Sequence, residues 1–245
     1  MPLHLKGPRD RIFLRSNATT QQQVSHMHKQ ILHPIQQILW DWNGTLLDDL
    51  QYAISVRNRT FPAFGLPTID SLEEYYRQFT FPVRLYYERA GVTDENFVQV
   101  AHAWMDEYVR GSREIPLHGD AADTVRAFRA AGLRQVVLSA SQLDILRQQL
   151  SYYPALEGAF DEVLGLSDIY ARSKEAIGTA YLERCGMDAR QSVMLGDTLH
   201  DADVAKAMGT QCILIARGHQ SREILEGAGV PVCASLAEAA QLILG

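Results

Sequence analysis

Polar side chains follow three short apolar runs of the chain, at the point where each run ends. They are carboxylates and a hydroxyl, the groups that hold metal ions and anions, and they are Asp41, Ser139, Asp197 and Asp201. Taken singly, residues of these types more often cap helices or close turns. If the three runs are parallel strands, however, their carboxyl ends meet at the sheet edge where α/β proteins bind ligands. Because three such ends rarely coincide by chance, the pattern predicts one shared site.

The segment after Asp41 allows a second interpretation. Asn43-Gly44 between apolar runs is the strongest short signal for a hairpin turn, and a hairpin would leave Asp41 merely solvated. The segment alone does not separate this hairpin from a ligand site. The hydroxyl and carboxylate side chains at the other two strand ends favour the ligand site.

Short apolar runs alternate with segments of helical spacing. The runs have the length and continuous apolarity of strands buried on both faces, and they are residues 38–40, 136–138, 193–195, 212–215 and, weakly, 230–232. Between them, residues 122–131 and 177–185 repeat apolar side chains at helical spacing. Strands alternating with helices imply a parallel sheet with right-handed crossovers. We therefore predict an α/β fold, with a Rossmann-like three-layer α/β/α core.

One interval interrupts the alternation. The stretch between the first two predicted strands is too long for a connection inside a compact domain, and its aromatic residues follow helical spacing. We interpret residues 50–114 as an inserted α-helical cap subdomain, although a few extra helices packed on the core would give the same pattern. Residues 34–49 and 115–245 then form the core. Residues 1–33 lack periodicity and are predicted to be a polar N-terminal extension.

The composition limits the classes of partner. The chain has 245 residues, 47% of them hydrophobic, and a net charge of −6. The charge and the lack of a basic cluster argue against nucleic-acid binding, and no apolar run is long enough to span a membrane. Three cysteines without metal spacing and an N-terminus without an apolar signal segment predict a cytoplasmic protein. Phosphate ligands remain possible, because a recruited metal cation reverses the local charge.

Four segments together resemble the motifs of one enzyme family. Asp41-Trp42-Asn43-Gly44-Thr45-Leu46 is similar to Asp-x-Asp-Gly-Thr-Leu except at one position, and the run ending in Ser139-Ala140-Ser141 is similar to the second motif. Lys174 and Gly196-Asp197-Thr198 with Asp201 match the third and fourth, in order. Over about residues 35–245 the chain thus resembles the haloacid dehalogenase superfamily of hydrolases, in its phosphoglycolate-phosphatase-like branch with a helical cap.

The resemblance implies a mechanism and a role for each motif residue. Asp41 is the expected nucleophile, forming an aspartyl phosphate that water hydrolyses, and the expected partner is a small phosphorylated substrate bound by a monomer or homodimer. The expected cofactor is Mg²⁺, held by Asp41, Asp197, Asp201 and the backbone carbonyl of Asn43. The residues expected to bind the phosphate are Thr45, Ser139, Ala140 and Lys174.

Asn43 departs from the family pattern, which has a proton-transferring aspartate at this position. An amide hydrogen-bonds to a leaving group but relays no proton, and losing one general acid–base costs ~10²–10⁴-fold in rate. Three hypotheses follow. The protein is a phosphatase that is slow or specialised for leaving groups needing little protonation, or it binds a phospholigand without turnover, or His200 replaces the missing group. An exposed loop histidine is the ordinary alternative for His200.

Two other branches of the family vary the same position. The metal-independent dehalogenases are disfavoured because Asp197 and Asp201 are present. A phosphonate-cleaving hydrolase would need a cap lysine, and residues 50–114 contain none. Arginines of this interval would suit a carboxylate or a second phosphate on the substrate. The ordinary alternatives are helix-surface arginines and core tyrosines. The candidates for substrate contacts are Arg57, Arg59, Tyr75, Tyr76, Arg77, Arg84, Tyr86, Tyr87 and Arg89.

Overall fold

A six-stranded parallel sheet forms the centre of the protein. The structure is a computed structural model that describes residues 34–167 and 173–245. Its strands are β1 (Gln37–Trp40), β2 (Arg134–Gln142), β3 (Glu162–Leu166), β4 (Ser192–Gly196), β5 (Gln211–Ile215) and β6 (Val232–Cys233). They lie in the order β3-β2-β1-β4-β5-β6, and every neighbouring pair is parallel. The chain therefore moves outward from β1 in both directions, which places a topological switch point at the carboxyl end of β1.

Helices cover both faces of the sheet. Following the first strand are α1 (Leu50–Thr60), α2 (Leu72–Gln78), α3 (Val83–Arg89) and α4 (Phe97–Gly111), and the remaining helices are α5 (Ala121–Ala130), α6 (Leu143–Leu150), α7 (Lys174–Cys185), α8 (Leu199–Met208), α9 (Arg222–Glu226) and α10 (Leu236–Leu244). Trp40 packs with α5 and α10, whereas its neighbour Leu39 packs with α7 and α8 on the opposite face. Successive side chains of a strand point to opposite faces. The predicted α/β class and three-layer Rossmann-like core are confirmed.

The helices between β1 and β2 have an apolar cluster of their own. Phe61, Tyr75, Tyr86, Tyr87 and Val100 are buried in it. Trp104 of α4 packs against this cluster and also against the core cluster on the Trp40 side of the sheet, which contains Tyr108. The two clusters are therefore in contact through α4. The assignment of residues 50–114 to a cap subdomain stays a prediction.

Two strands differ from the sequence-based expectation. β3 was not predicted, because Glu162–Leu166 is only partly buried at the edge of the sheet and lacks a continuous apolar run. β6 begins at Val232, later than the predicted run at 230–232. Pro231 has no N–H to donate, and it contributes only its carbonyl, which accepts from Leu214 N at 2.9 Å. The predicted extension at residues 1–33 lies outside the described residues. Within the part of the chain described, no helix is long and apolar enough to cross a membrane.

Candidate active site

The ends of β1 and β4 bring three carboxylates together. Asp41 continues the β1 ladder by donating its N–H to the Leu195 carbonyl at 2.8 Å, and Asp197 follows the last residue of β4. Asp201 lies in the first turn of α8, where it forms a capping box with Thr198. One oxygen from each of the three aspartates lies within 4.8 Å of the others, and all three residues are buried. The strand ends singled out in the sequence thus meet at one point.

Lys174 connects two of these carboxylates. It is the first residue of α7, which Ser173 caps by accepting from Ala176 N. Its Nζ lies 2.5 Å from Asp41 Oδ1 and 2.5 Å from Asp201 Oδ1. Burial acts to lower the pKa of Lys174, but the two carboxylates overcome this effect and raise it. The ammonium is therefore charged and fixed beside Asp41.

One ammonium does not balance three buried carboxylates. Burial, opposed by Lys174, raises the pKa of Asp41 to about 6. Burial, reinforced by the neighbouring Asp41 and Asp201, raises the pKa of Asp197 to about 8. Asp201 is also buried, yet Lys174 holds its pKa below the usual value. This excess of negative charge, presented by oxygen ligands alone, fits a hard divalent cation such as Mg²⁺.

The backbone around Asp197 leaves space for its carboxylate. Gly44, at φ +71°, and Gly218 both face this group, and a Cβ at either position would collide with it. The carboxylate accepts from His219 N at 2.6 Å and from Thr45 Oγ1 at 3.2 Å. Thr45 is fully buried, and its hydroxyl also lies 3.4 Å from Asp41 Oδ2. The structure thus brings Thr45 to the site, where it contacts the carboxylates.

The side chain of Asn43 is fixed by three neighbours. Its Nδ2 donates to Asp49 Oδ2 at 2.8 Å and to the Tyr108 hydroxyl at 2.7 Å. Its Oδ1 accepts from Ser141 Oγ at 2.9 Å. Because the Asp49 carboxylate only accepts hydrogen bonds, the NH₂ group must face it. The site is therefore built around an amide at position 43.

Asp49 and His219 form a buried ion pair that the motifs did not indicate. His219 Nε2 lies 3.1 Å from Asp49 Oδ1, and its Nδ1 lies 2.7 Å from the Tyr75 hydroxyl. Burial acts to lower the pKa of His219, but Asp49 outweighs it and raises the pKa to about 9. Burial acts to raise the pKa of Asp49. The charge of His219 and the hydrogen bonds that Asp49 accepts outweigh burial, so the pKa of Asp49 is lowered. His219 lies in the loop after β5, where the strand-end rule meets Arg217 first and does not single out the histidine. Tyr75 has only the helical spacing of a core residue.

Ser139, Ala140 and His200 line the space above the carboxylates. Ser139 is buried within β2, directly after Leu138, in the stretch where the pairing of β2 with β3 shifts register. Its Oγ accepts from Ser141 N at 3.1 Å. His200 is half-buried in the first turn of α8, and its ring stacks on Phe81 at a centroid distance of 4.5 Å. Burial lowers the pKa of His200, which keeps it neutral at pH 7. The ring contact of His200 is thus with the segment between α2 and α3.

A cavity of about 400 Å³ opens above these residues. The ends of β1, β2 and β4 form its floor, and α2, α3 and α4 form much of its wall. Asp41, Asn43, Ser139 and Lys174 all reach this cavity, together with Asp197 and Asp201. The volume lies within the range of small-molecule sites, about 300–1,000 Å³.

A parallel sheet between two layers of helices, with a lysine-bridged acidic cluster at its strand ends, defines a Rossmann-like α/β fold whose candidate site lies at the topological switch point. The chain belongs to the family of haloacid dehalogenase-like hydrolases, whose model matches residues 38–215.

Several characterised and solved proteins are similar to this chain. A phosphoglycolate phosphatase from Synechococcus elongatus is 23% identical over 197 residues, which are 79% of this chain and 90% of that protein. A predicted phosphatase from Clostridium acetobutylicum matches in structure with a TM-score of 0.75 at 19% identity, over 86% of this chain and 99% of its own. CbbY from Rhodobacter sphaeroides, solved with xylulose-(1,5)bisphosphate, matches with a TM-score of 0.65 at 24% identity, over 83% and 96% of the two chains. These structural matches show the shared fold.

Proposed function

We propose that this protein is a magnesium-dependent phosphatase that acts on a small phosphorylated metabolite through an aspartyl phosphate on Asp41. The observation that carries the proposal is the position of Asp41, which faces the cavity beside the Lys174 ammonium, with Asp197 and Asp201 next to it. Membership of a hydrolase family and the likeness to a phosphoglycolate phosphatase support it.

The residues at the strand ends divide the chemistry between them. An Asp41 carboxylate oxygen attacks phosphorus, and the bond from phosphorus to the leaving oxygen breaks with its electron pair on that oxygen. Lys174 offers a compact cation to the phosphate oxygens, and the hydroxyl of Ser139 offers a neutral donor. Water then attacks the phosphorus of the aspartyl phosphate and releases inorganic phosphate and the Asp41 carboxylate.

The metal proposal rests on the chemistry of the donors. Asp41, Asp197, Asp201 and the backbone carbonyl of Asn43 would hold Mg²⁺, whose charge would offset the repulsion between the carboxylate and the phosphate. Thr45 orients two of these ligands through its hydroxyl. We also propose that residues 50–114 act as a cap that excludes water from the cavity.

Phosphate release tests this proposal directly. Acetyl phosphate and p-nitrophenyl phosphate have leaving groups that need little protonation, so Asn43 does not limit the transfer of their phosphoryl group to Asp41. We expect magnesium-dependent release of phosphate that EDTA abolishes and that Asp41→Asn reduces by at least about 10³-fold. Asp144→Asn, an exposed aspartate in α6, is the matched control and should retain the rate. Activity that survives EDTA or Asp41→Asn would overturn the proposal.

The fixed amide of Asn43 favours one alternative, a phospholigand-binding protein without turnover. In that case phosphate analogues bind in the presence of Mg²⁺, but no substrate is turned over more than once. Multiple turnovers of acetyl phosphate exclude it. A phosphonate-cleaving activity has less support, because Lys174 is the only lysine lining the cavity among residues 34–167 and 173–245.

A further inference from the structure

Two kinds of side chain line the cavity above Asp41. The strand-end carboxylates and Lys174 form its charged part. Large side chains from the segment between β1 and β2 form its aromatic part, and they are Phe79, Phe81, Tyr86, Phe97, Trp104 and Tyr108. A substrate whose phosphate meets Asp41 must therefore place its remaining part against aromatic rings.

Rings of the aromatic part contact one another and His200 of α8, and together these rings form what we call the aromatic wall. Phe79 packs edge-on against Phe81 and Tyr86, with ring centroids 5.6 and 5.4 Å apart. Phe81 stacks on His200 of α8 with an angle of 19° between the ring planes. Such offset and edge-to-face arrangements are those that aromatic rings prefer, and they leave further ring faces for a ligand.

The arginines that could have bound an anionic substrate do not line the cavity. Arg57 is fully buried, its Nη2 donates to Gln78 at 2.9 Å, and its guanidinium lies over the rings of Phe61 and Tyr86. Its Nε and Nη1 have no hydrogen-bond partner among the described residues. Arg59 pairs with Glu107 at 2.9 Å.

The other arginines of this interval also have partners. Arg84 pairs with Glu88 at 3.1 Å, and Arg77 with Glu73 at 2.9 Å. Arg89 donates to the backbone carbonyl of Gln78 at 3.1 Å.

Within the described part of the chain, the basic residues lining the cavity are Lys174, His200 and His219. Lys174 and His219 already face carboxylates, and the ring of His200 is stacked on Phe81. A second phosphate or a carboxylate on the substrate would therefore meet apolar rings without a counter-charge, which is unfavourable.

The amide of Asn43 selects for the same kind of substrate. An alkoxide leaving group is about as basic as hydroxide, since water has a pKa of about 15.7, and it needs a proton as it leaves. A phenol has a pKa of about 10, so its oxide leaves without one. The amide of Asn43 cannot transfer a proton to the leaving oxygen. Its hydrogen bonds with Asp49 and Ser141 fix its orientation. A phenolic ester thus suits both the chemistry at Asp41 and the aromatic surface of the cavity.

We propose that the substrate is the phosphate monoester of a phenol, with its ring against the aromatic wall and its phosphate beside Asp41 and Lys174. This inference rests on the proposed phosphatase function. In the first step the bond between Asp41 and phosphorus forms, the bond from phosphorus to the phenolic oxygen breaks, and the electron pair leaves on the phenolate, which takes a proton from solvent. Water then displaces the Asp41 carboxylate from phosphorus.

Four phosphate substrates separate the parts of this proposal. Phenyl phosphate has the ring and the good leaving group, and benzyl phosphate has the ring with an alkoxide leaving group. Phosphoglycolate has a carboxylate in place of the ring, and acetyl phosphate tests the phosphoryl chemistry without either. We expect kcat/KM for phenyl phosphate to exceed that for phosphoglycolate by at least about 10²-fold. Benzyl phosphate should inhibit competitively, with an inhibition constant within about fivefold of the KM for phenyl phosphate, and turn over slowly.

Substitution of Phe81 tests the aromatic wall. Phe81 is half-buried, so Phe81→Leu is a mild change for folding. We expect it to lower the ratio of kcat/KM for phenyl phosphate to that for acetyl phosphate by about tenfold, because a ring contact is lost. Phe64→Leu replaces a half-buried phenylalanine of the same segment that does not line the cavity, and the ratio should stay within about twofold.

The outcomes distinguish this inference from the proposed function. If acetyl phosphate is hydrolysed but phosphoglycolate is as good a substrate as phenyl phosphate, the aromatic inference is wrong and the phosphatase proposal stands. An unchanged substrate ratio in Phe81→Leu likewise overturns the inference alone. If neither acetyl nor phenyl phosphate is hydrolysed, the phosphatase proposal fails, and the inference fails with it.

Discussion

The amide of Asn43 stands where family phosphatases have a proton-transferring aspartate, and its surroundings match an amide. Its NH₂ group faces the Asp49 carboxylate, which also accepts from Gly44 N at 2.7 Å and from Tyr108 at 2.6 Å. An aspartate at position 43 would place two carboxylates in contact, and repulsion would keep the new group protonated. A protonated carboxyl is the form that donates to a leaving group.

Asn43→Asp should therefore extend the range of substrates. We expect kcat for an alkyl phosphate to rise by ~10²-fold or more, whereas the phosphorylation step with p-nitrophenyl phosphate changes by less than about tenfold. Asn43→Ala, which removes the same hydrogen bonds but adds no carboxyl, should give no gain. Steady-state and rapid-quench kinetics on both substrates measure the difference. Equal gains on both substrates would show that position 43 does not act on the leaving group.

Asp197 makes metal binding depend on pH. In the metal-free protein, burial raises its pKa to about 8, so below this pH a proton occupies the carboxylate and must leave when Mg²⁺ binds. The Kd for Mg²⁺ should therefore fall as the pH rises from 6 to 8, by up to about tenfold per pH unit for one proton, and level off above pH 8. Titration calorimetry in buffers of different ionisation enthalpy measures both Kd and the protons released. A Kd that is constant from pH 6 to 8 contradicts this prediction.

At the scale of the elements, strand ends were the most predictable feature. Asp41, Ser139 and Asp197 were placed at one site because buried parallel strands have continuous apolar runs that stop at a polar residue. The apolar-run pattern does not predict β3, because an edge strand is only partly buried and needs no continuous apolar run. The contacts that complete the site, such as Tyr108 with Asp49 and Tyr75 with His219, join residues far apart in sequence. No local pattern distinguishes these tyrosines from core residues.

A glycine in the loop after β5 leaves the space that the Asp197 carboxylate occupies. A Cβ at Gly218 would collide with the Asp197 carboxylate, although the backbone there is not in the left-handed region. Gly218→Ala should therefore displace this ligand and weaken Mg²⁺ binding by at least about tenfold. Gly119→Ala is the matched control, since a Cβ at Gly119 has open space, and it should bind Mg²⁺ as the wild type does. Calorimetric titration of both variants tests this, and equal affinities would show that Asp197 does not need the space.

At the scale of the whole molecule, the net charge of −6 gave no sign of anion binding. The structure concentrates three aspartates at the switch point of the sheet, where Lys174 balances them only in part. The helices between β1 and β2 contact this site through Tyr75 and Tyr108, and the segment between these strands supplies the aromatic part of the cavity. The sheet thus provides the proposed phosphoryl chemistry, and the helices provide the proposed selectivity.

The central claim is that Asp41 carries the phosphoryl group, and pre-steady-state kinetics tests it most directly. With p-nitrophenyl phosphate and Mg²⁺, nitrophenolate leaves without a proton, but Asn43 cannot deprotonate the water of the second step, so the phosphorylated protein accumulates. We predict a burst of nitrophenolate equal to the concentration of sites, with a hydroxylamine-sensitive phosphoryl group on the peptide that contains Asp41. Linear release of nitrophenolate from the first turnover, with no phosphoryl group on Asp41, would contradict the account.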